Sequence, residues 1–137
     1  SKLNCIFGCL EADELGYDEG IMLDINGHVS TCNSTNFFII KNDEVWTSTG
    51  DFCLPGITRK NIITLCYEND ICVFEKDFTM NDVYSAEEAF VTGTFAGVIP
   101  VIAVDHYTLG GGKCGKLTKK LYDLYKSKIQ TLYSKNI

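Results

Sequence analysis

The spacing of apolar residues predicts a helix near each end of the chain and one in the middle. Between residues 3 and 15 apolar side chains recur every three or four positions, as in an amphipathic helix. After the turn pair Pro55-Gly56, the same spacing predicts a helix from Thr58 to about Asn69. The last helix is lysine-rich, with one apolar face formed by Leu117, Leu121, Leu124 and Tyr125.

Short runs of strand-forming residues separated by turn signals predict a sheet between these helices. The pair Asn26-Gly27 favours a tight turn, so residues 21–23 and 28–31 are predicted to form a hairpin, and residues 36–40 and 45–47 a second one. A short helix is expected after Thr79, and Tyr107 to Gly112 is interpreted as a glycine-rich loop. Further strands are predicted at residues 73–78, 89–94 and 98–104, the last an edge or bulged strand because it contains Pro100. The pattern indicates an α+β, or mixed α/β, fold with helices packed over a sheet.

Length and composition fit one folded domain without a membrane segment. The chain has 137 residues, 45% of them hydrophobic, yet no apolar run approaches the roughly 20 residues of a membrane span. It shows no signal-peptide pattern, so a cytoplasmic location is expected. The net charge of −6 argues against nucleic acid as a partner. The lysines from Lys113 onward are interpreted as a solvated helix face, with docking on an acidic surface as the alternative.

Cysteine and histidine positions do not predict a metal site or a nucleophile triad. The seven cysteines include no CxxC pair, and Cys5 and Cys9 have a spacing that suits helix packing. We expect reduced thiols that are mostly buried. Neither His28 nor His106 has a convincing partner nearby in the sequence.

The stretch from Asp51 to Arg59 predicts a small anion site. Gly56 to Thr58 should form the first turn of a helix, whose free N–H groups and positive dipole end would face one anion together with the Thr58 hydroxyl. An ordinary helix start is the alternative. Other hydroxyl-rich or glycine-rich junctions, at residues 31–35 and 92–94, also fall at ends of predicted elements, where small-molecule sites are common.

The order of these motifs resembles the C-terminal half of the class IV (fold type IV) aminotransferases. The motifs are Gly16-Tyr17-Asp18-Glu19-Gly20, Asn36-Phe37-Phe38, Leu54-Pro55-Gly56-Ile57-Thr58-Arg59 and Phe90-Val91-Thr92-Gly93-Thr94. The family includes branched-chain and D-amino-acid aminotransferases and aminodeoxychorismate lyase. The resemblance runs from near Ser1 to about Tyr125. It implies that residues 1–137 form one domain, the large C-terminal domain of the D-amino-acid aminotransferase-like fold, a mixed sheet or pseudo-barrel flanked by helices. The N-terminal domain is expected to lie outside this chain.

The resemblance also implies pyridoxal 5′-phosphate as cofactor. Its phosphate is expected on the backbone N–H groups of Ile57 and Thr58, with the hydroxyls of Thr58 and Thr94 assisting. The backbone around Thr94 and Phe95 is expected to receive the substrate carboxylate. The implied cofactor-binding residues are Thr31, Asn36, Gly56, Ile57, Thr58, Gly93 and Thr94.

Three positions depart from the family pattern. The Schiff-base lysine is expected upstream of Ser1, and Lys2 is the alternative that lies nearby. Thr31 stands where the family places the carboxylate that pairs with the pyridine nitrogen, so a weaker electron sink is expected. Gly97 stands where many members carry an acid.

The resemblance therefore implies amino-group transfer between a branched-chain-like amino acid and a 2-oxo acid, in a homodimer. The full-length protein is expected to be a pyridoxal-phosphate-dependent aminotransferase, and this chain its C-terminal portion without the Schiff-base lysine. Two alternatives stay open: a non-catalytic ligand-binding or assembly domain that retains the fold, and an aminodeoxychorismate-lyase-like enzyme.

Overall fold

A computed structural model describes residues 18–32, 35–49, 56–93 and 97–134, with side chains to residue 131. The helix predicted at residues 3–15 lies outside these ranges, as do Ser1, Lys2, Thr94, Phe95 and the start of the predicted anion site at residues 51–55.

The described residues form nine strands, three α-helices and one short 3₁₀ turn. The strands are β1 Ile21–Leu23, β2 Val29–Cys32, β3 Asn36–Lys41, β4 Glu44–Thr47, β5 Val73–Glu75, β6 Glu88–Gly93, β7 Gly97–Val101, β8 Ala103–Val104 and β9 Tyr107–Thr108. The helices are α1 Ile57–Glu68, α2 Met80–Tyr84 and α3 Lys116–Ser134, and the 3₁₀ turn is Gly110–Gly112.

The main sheet is mixed, in the order β5-β4-β3-β6-β7. All its neighbours are antiparallel except β4 and β5, which are parallel because α1 connects them. Both predicted hairpins, β1–β2 and β3–β4, are confirmed. The prediction of an edge strand at Pro100 is also confirmed, since β7 is an edge strand of the sheet.

Two predicted strands are too long. The strand predicted at residues 73–78 ends at Glu75, because Phe78 leaves the sheet to pack beside Trp46, and its carbonyl accepts the N–H of Val29. The strand predicted at residues 98–104 splits after Val101, where the carbonyl of Ile102 turns to accept the N–H of Leu109. The loop predicted at Tyr107 to Gly112 contains the short strand β9 and the 3₁₀ turn.

The sheet is buried on both faces, as the continuous apolar run in β3 requires. Phe37 and Ile39 point to the face covered by β2, Phe78 and α2, while Phe38 and Ile40 point to the face covered by α1 and α3. On the helical face Phe38 stacks on Phe90 of β6, with ring centroids 4.7 Å apart. Two helices therefore lie against one face of the sheet, and both begin near β6.

Glu88, the first residue of β6, fixes the start of α3. Its carboxylate accepts the N–H groups of Leu117 and Thr118, at 3.3 and 2.9 Å. A negative group at this position compensates free N–H groups and the positive end of the helix dipole. A side chain at Gly115 would overlap the Glu88 side chain and force its carboxylate to move away from the start of α3.

The described cysteines are free thiols in two environments. Cys32 and Cys66 are buried, and burial raises the pKa of each thiol to about 12. Cys72 and Cys114 are exposed, so the prediction of mostly buried thiols is wrong for these two. No helix among the described residues is both long and apolar enough to span a membrane.

Replacing Glu88 should destabilise the protein through the start of α3. We expect Glu88→Gln to lower the free energy of unfolding by about 0.5–2 kcal/mol, because the helix loses its compensating charge. Urea denaturation of the intact protein measures the change. Glu68→Gln, at the exposed end of α1, is the control and should not destabilise, because an acid there opposes the dipole. Equal losses in both variants would contradict the assignment.

Candidate functional site

The candidate site lies at one end of the main sheet, where several predicted residues meet. Asn36 at the start of β3 pairs with Thr92 near the end of β6, and Gly93 pairs with Gly97 at the start of β7. The N-terminus of α1 lies over this end, because Thr58 contacts Gly93. Residues far apart in sequence thus converge beside the first turn of a helix.

The first turn of α1 offers free backbone donors. Gly56 occupies the N-cap position without a capping side chain, and the first turn contains no acid. The N–H of Lys60 is bonded to the carbonyl of Gly56, while the N–H groups of Ile57 and Thr58 have no acceptor among the described residues. Among the described residues, therefore, no acid compensates the positive end of α1, unlike that of α3, which has Glu88.

Gly56 brings this turn directly against Asn36. A Cβ at Gly56 would overlap the side-chain oxygen of Asn36, which is itself buried. The backbone of Gly56 has φ −100° and ψ 137°, a conformation open to any residue. Close approach, and not backbone conformation, is therefore what requires glycine here. Asn36 and Gly56, two of the residues predicted from the sequence, lie in contact.

Thr58 is the hydroxyl at the centre of the site. Its side chain is 3% exposed, and its Oγ1 donates to the carbonyl oxygen of Gly93 at 3.2 Å. The Oη of Tyr125 on α3 lies 3.4 Å from the same Oγ1. The structure therefore brings Thr58 to Gly93, the residue before Thr94, while Thr94 and Phe95 lie outside the described residues.

Thr92 adds a second hydroxyl at this end of the sheet. The residue is 1% exposed, and its Oγ1 has no hydrogen-bond partner among the described residues. The alternation along β6 places Thr92 on the same face as Phe90, towards α1 and α3. Buried hydroxyls are normally paired, so this orphan donor fits a site that takes a polar ligand.

Thr31 lies in a separate hydrogen-bonded group. Its hydroxyl donates to the carbonyl of Thr35 at 2.6 Å, and the Thr35 hydroxyl donates to Glu19 at 2.7 Å. A threonine hydroxyl has one proton, so Thr31 in this geometry can only accept a further hydrogen bond.

Arg59 is bonded to the ends of two strands of the main sheet. Its Nη2 donates to the carbonyl of Ser48 at 2.7 Å and to the carboxylate of Glu75 at 2.8 Å. Because Glu75 ends β5 and Ser48 follows β4, Arg59 ties α1 to the same end of the sheet. The sequence singled out Arg59 within its motif but did not indicate these partners. It gave no signal for Tyr125 beyond its place on an apolar helix face.

The expectation that neither histidine has a nearby partner is wrong for His28. Its Nδ1 lies 3.7 Å from Asp24 and 3.9 Å from Asp77. Asp24 already accepts the backbone N–H groups of Asn26 and His28. Burial raises the pKa of Asp24, but these bonds outweigh it and leave the pKa below its ordinary value. The group stabilises the β1–β2 turn.

Comparisons with known proteins agree on one family. The sequence model of the family described as amino-transferase class IV matches residues 1–104. A branched-chain-amino-acid aminotransferase from Pseudomonas aeruginosa is 42% identical over 123 residues, which cover 90% of this chain and 40% of that protein. This chain therefore spans about two-fifths of that relative's length.

Solved structures show the same similarity. The branched-chain amino acid aminotransferase of Escherichia coli superimposes with a TM-score of 0.88 at 37% identity, covering 92% of this chain and 43% of that one. An aminotransferase from Brucella abortus bound to the co-factor PLP gives 0.86 at 30% identity, covering 92% and 44%. These matches confirm the predicted mixed α/β fold.

The contact between Gly56 and Asn36 can be tested by a double-mutant cycle. Gly56→Ala should lower the free energy of unfolding by about 1–3 kcal/mol, because the new methyl group overpacks the contact. Adding Asn36→Ala removes the obstructing oxygen, so the double variant should lose less than the sum of the single variants. Thermal and urea unfolding measure all four proteins. Strictly additive losses would show that the two residues are not in contact.

Proposed function

Because the chain belongs to the class IV aminotransferase family, we propose that it forms the cofactor-phosphate side of a pyridoxal-phosphate-dependent aminotransferase. The reaction exchanges an amino group between a branched-chain-like amino acid and a 2-oxo acid. The observation that carries the proposal is the first turn of α1, where the N–H groups of Ile57 and Thr58 have no acceptor among the described residues and the Thr58 hydroxyl lies beside them.

The phosphate end of the cofactor fits the residues present. The N–H groups of Ile57 and Thr58 would donate to phosphate oxygens, and the buried hydroxyls of Thr58 and Thr92 lie at the same end of the sheet. The side chain of Asn36 packs against Gly56 and so restricts the position of the first turn of α1. Because these donors are held by the fold before any ligand arrives, little reorganisation is needed on binding.

The residue expected beside the pyridine ring of the cofactor departs from the family pattern, unlike the residues expected around its phosphate. Pyridoxal phosphate, when bound, supplies an electron-accepting ring that stabilises negative charge developing at the α-carbon of an amino acid. A carboxylate at the ring nitrogen strengthens this property, because it keeps that nitrogen protonated. Thr31 is neutral and its proton is engaged by Thr35. We propose that Thr31, an uncharged hydrogen-bond acceptor, stabilises the protonated ring nitrogen less than a carboxylate does and so leaves the electron sink weaker.

The remaining parts of an active aminotransferase stay predictions. Thr94 and Phe95 are proposed as donors to the cofactor phosphate and the substrate carboxylate. The Schiff-base lysine is proposed to lie upstream of Ser1, with Lys2 as the alternative. The homodimer, the separate N-terminal domain and the cytoplasmic location likewise stay proposals.

A second candidate is a domain that binds the cofactor without catalysing transfer. The observation that favours it is Thr31, because a neutral hydroxyl with a committed proton cannot replace a carboxylate. An assay of the intact protein with branched-chain amino acids and 2-oxoglutarate separates the candidates. Amino-group transfer excludes the non-catalytic reading, whereas phosphate-dependent binding without transfer supports it.

Phosphate-dependent binding directly tests the phosphate cradle, the proposed set of donors formed by the N–H groups of Ile57 and Thr58 and the hydroxyls of Thr58 and Thr92. Pyridoxamine 5′-phosphate should bind the intact protein more tightly than pyridoxamine, since only the former carries the phosphate. Thr58→Val removes one hydroxyl and keeps the side-chain shape, so we expect about 10- to 150-fold weaker binding of pyridoxamine 5′-phosphate, from one lost hydrogen bond to a charged group. Isothermal titration calorimetry measures both ligands.

The matched control for this experiment is Thr64→Val on the same helix, outside its first turn. It should leave both affinities unchanged. If the unmodified protein bound the two ligands with equal affinity, the proposal that the first turn of α1 binds the cofactor phosphate would be wrong.

A further inference from the structure

We infer that Tyr125 on α3 is a positioning residue of the phosphate cradle, in which its hydroxyl orients the hydroxyl of Thr58. The inference rests on the proposed function and deepens it. It concerns a residue that lies outside the part of the chain matched by the family's sequence model.

The hydrogen-bond inventory of Thr58 leads to this role. Its Oγ1 has one proton, which goes to the carbonyl of Gly93, and two lone pairs that can accept. The Oη of Tyr125 lies 3.4 Å from Oγ1, a weak hydrogen bond at this separation. Because the Thr58 proton is already given to Gly93, Tyr125 is the donor of this pair.

An anion bound at the first turn of α1 would change the hydrogen bonds of the Thr58 hydroxyl. The Thr58 proton can then turn from the carbonyl of Gly93 to a phosphate oxygen, while Tyr125 continues to donate to Oγ1. Such a chain of donors strengthens its last bond, because each hydroxyl polarises the next. Tyr125 thereby acts on the phosphate through Thr58 without touching it.

Gly97 provides the space that Tyr125 needs. A Cβ at Gly97 would lie 2.9 Å from Cε1 and 3.3 Å from Cδ1 of the Tyr125 ring. Gly97 also has φ +69°, a conformation that residues with side chains rarely adopt. The absent side chain therefore lets the ring lie against the start of β7 and brings Oη to the cradle.

The position of α3 is fixed independently of this contact. Leu121, one turn before Tyr125, is completely buried in the core on the helical face. Glu88 holds the first turn of the same helix. Replacing the Tyr125 hydroxyl alone should therefore leave the helix in place, which allows its role to be measured.

A double-mutant cycle with Tyr125→Phe and Thr58→Val tests the inference in the intact protein. Tyr125→Phe keeps the ring over Gly97 and removes only the hydroxyl. We expect about 2- to 10-fold weaker binding of pyridoxamine 5′-phosphate and unchanged binding of pyridoxamine, from one weakened hydrogen bond. In the Thr58→Val background, Tyr125→Phe should cause no further loss, because the residue acts through Thr58.

Tyr122→Phe, on the same helix and partly exposed, is the matched control and should change neither affinity. Fully additive losses in the cycle, or equal weakening of both ligands, would assign Tyr125 a structural role and overturn the inference. Loss with Thr58→Val but none with Tyr125→Phe overturns it while the proposed function stands. If the unmodified protein shows no preference for the phosphorylated ligand, the proposed function fails first and the inference falls with it.

Discussion

The close contact between Gly56 and Asn36 is the constraint on which the candidate site depends. A helix N-terminus can serve as an anion site only if its free N–H groups are held at a fixed place. Here the missing side chain of Gly56 lets the first turn of α1 rest on the buried amide of Asn36, at the start of a central strand. Because the first turn packs against a strand of the sheet, the backbone N–H groups of Ile57 and Thr58 are held in fixed positions.

Strand β6 contacts the starts of both α1 and α3. At one end of the strand Glu88 supplies the negative charge that α3 needs, and at the other end the carbonyl of Gly93 takes the proton of Thr58. Among the described residues, one helix start therefore has a compensating carboxylate and the other has none. The same strand fixes the direction of α3, which places Tyr125 near Thr58.

Features that depend on residues close together in the sequence could be predicted, whereas contacts between residues far apart in the sequence could not. The hairpin at Asn26-Gly27 and the start of α1 depend on turn chemistry within a few residues, and both predictions were confirmed. The pairing of Tyr125 with Thr58 spans 67 residues, so no local pattern could indicate it. The early end of β5 has the same cause, because Phe78 packs beside Trp46 in the core and does not continue the strand.

The two ends of the proposed cofactor site have separate hydrogen-bonded groups, which meet where the methyl group of Thr35 lies beside Gly93. The phosphate donors depend on α1, Asn36 and β6, whereas the ring-nitrogen position depends on Thr31 and its turn with Thr35. The described hydrogen bonds join Thr31 to Thr35 and Glu19 and join Thr58 to Gly93 and Tyr125. The described hydrogen bonds of Thr58 therefore do not depend on the side chain at position 31. In the proposed site the phosphate cradle therefore governs binding, whereas the strength of the electron sink depends on the group beside the ring nitrogen.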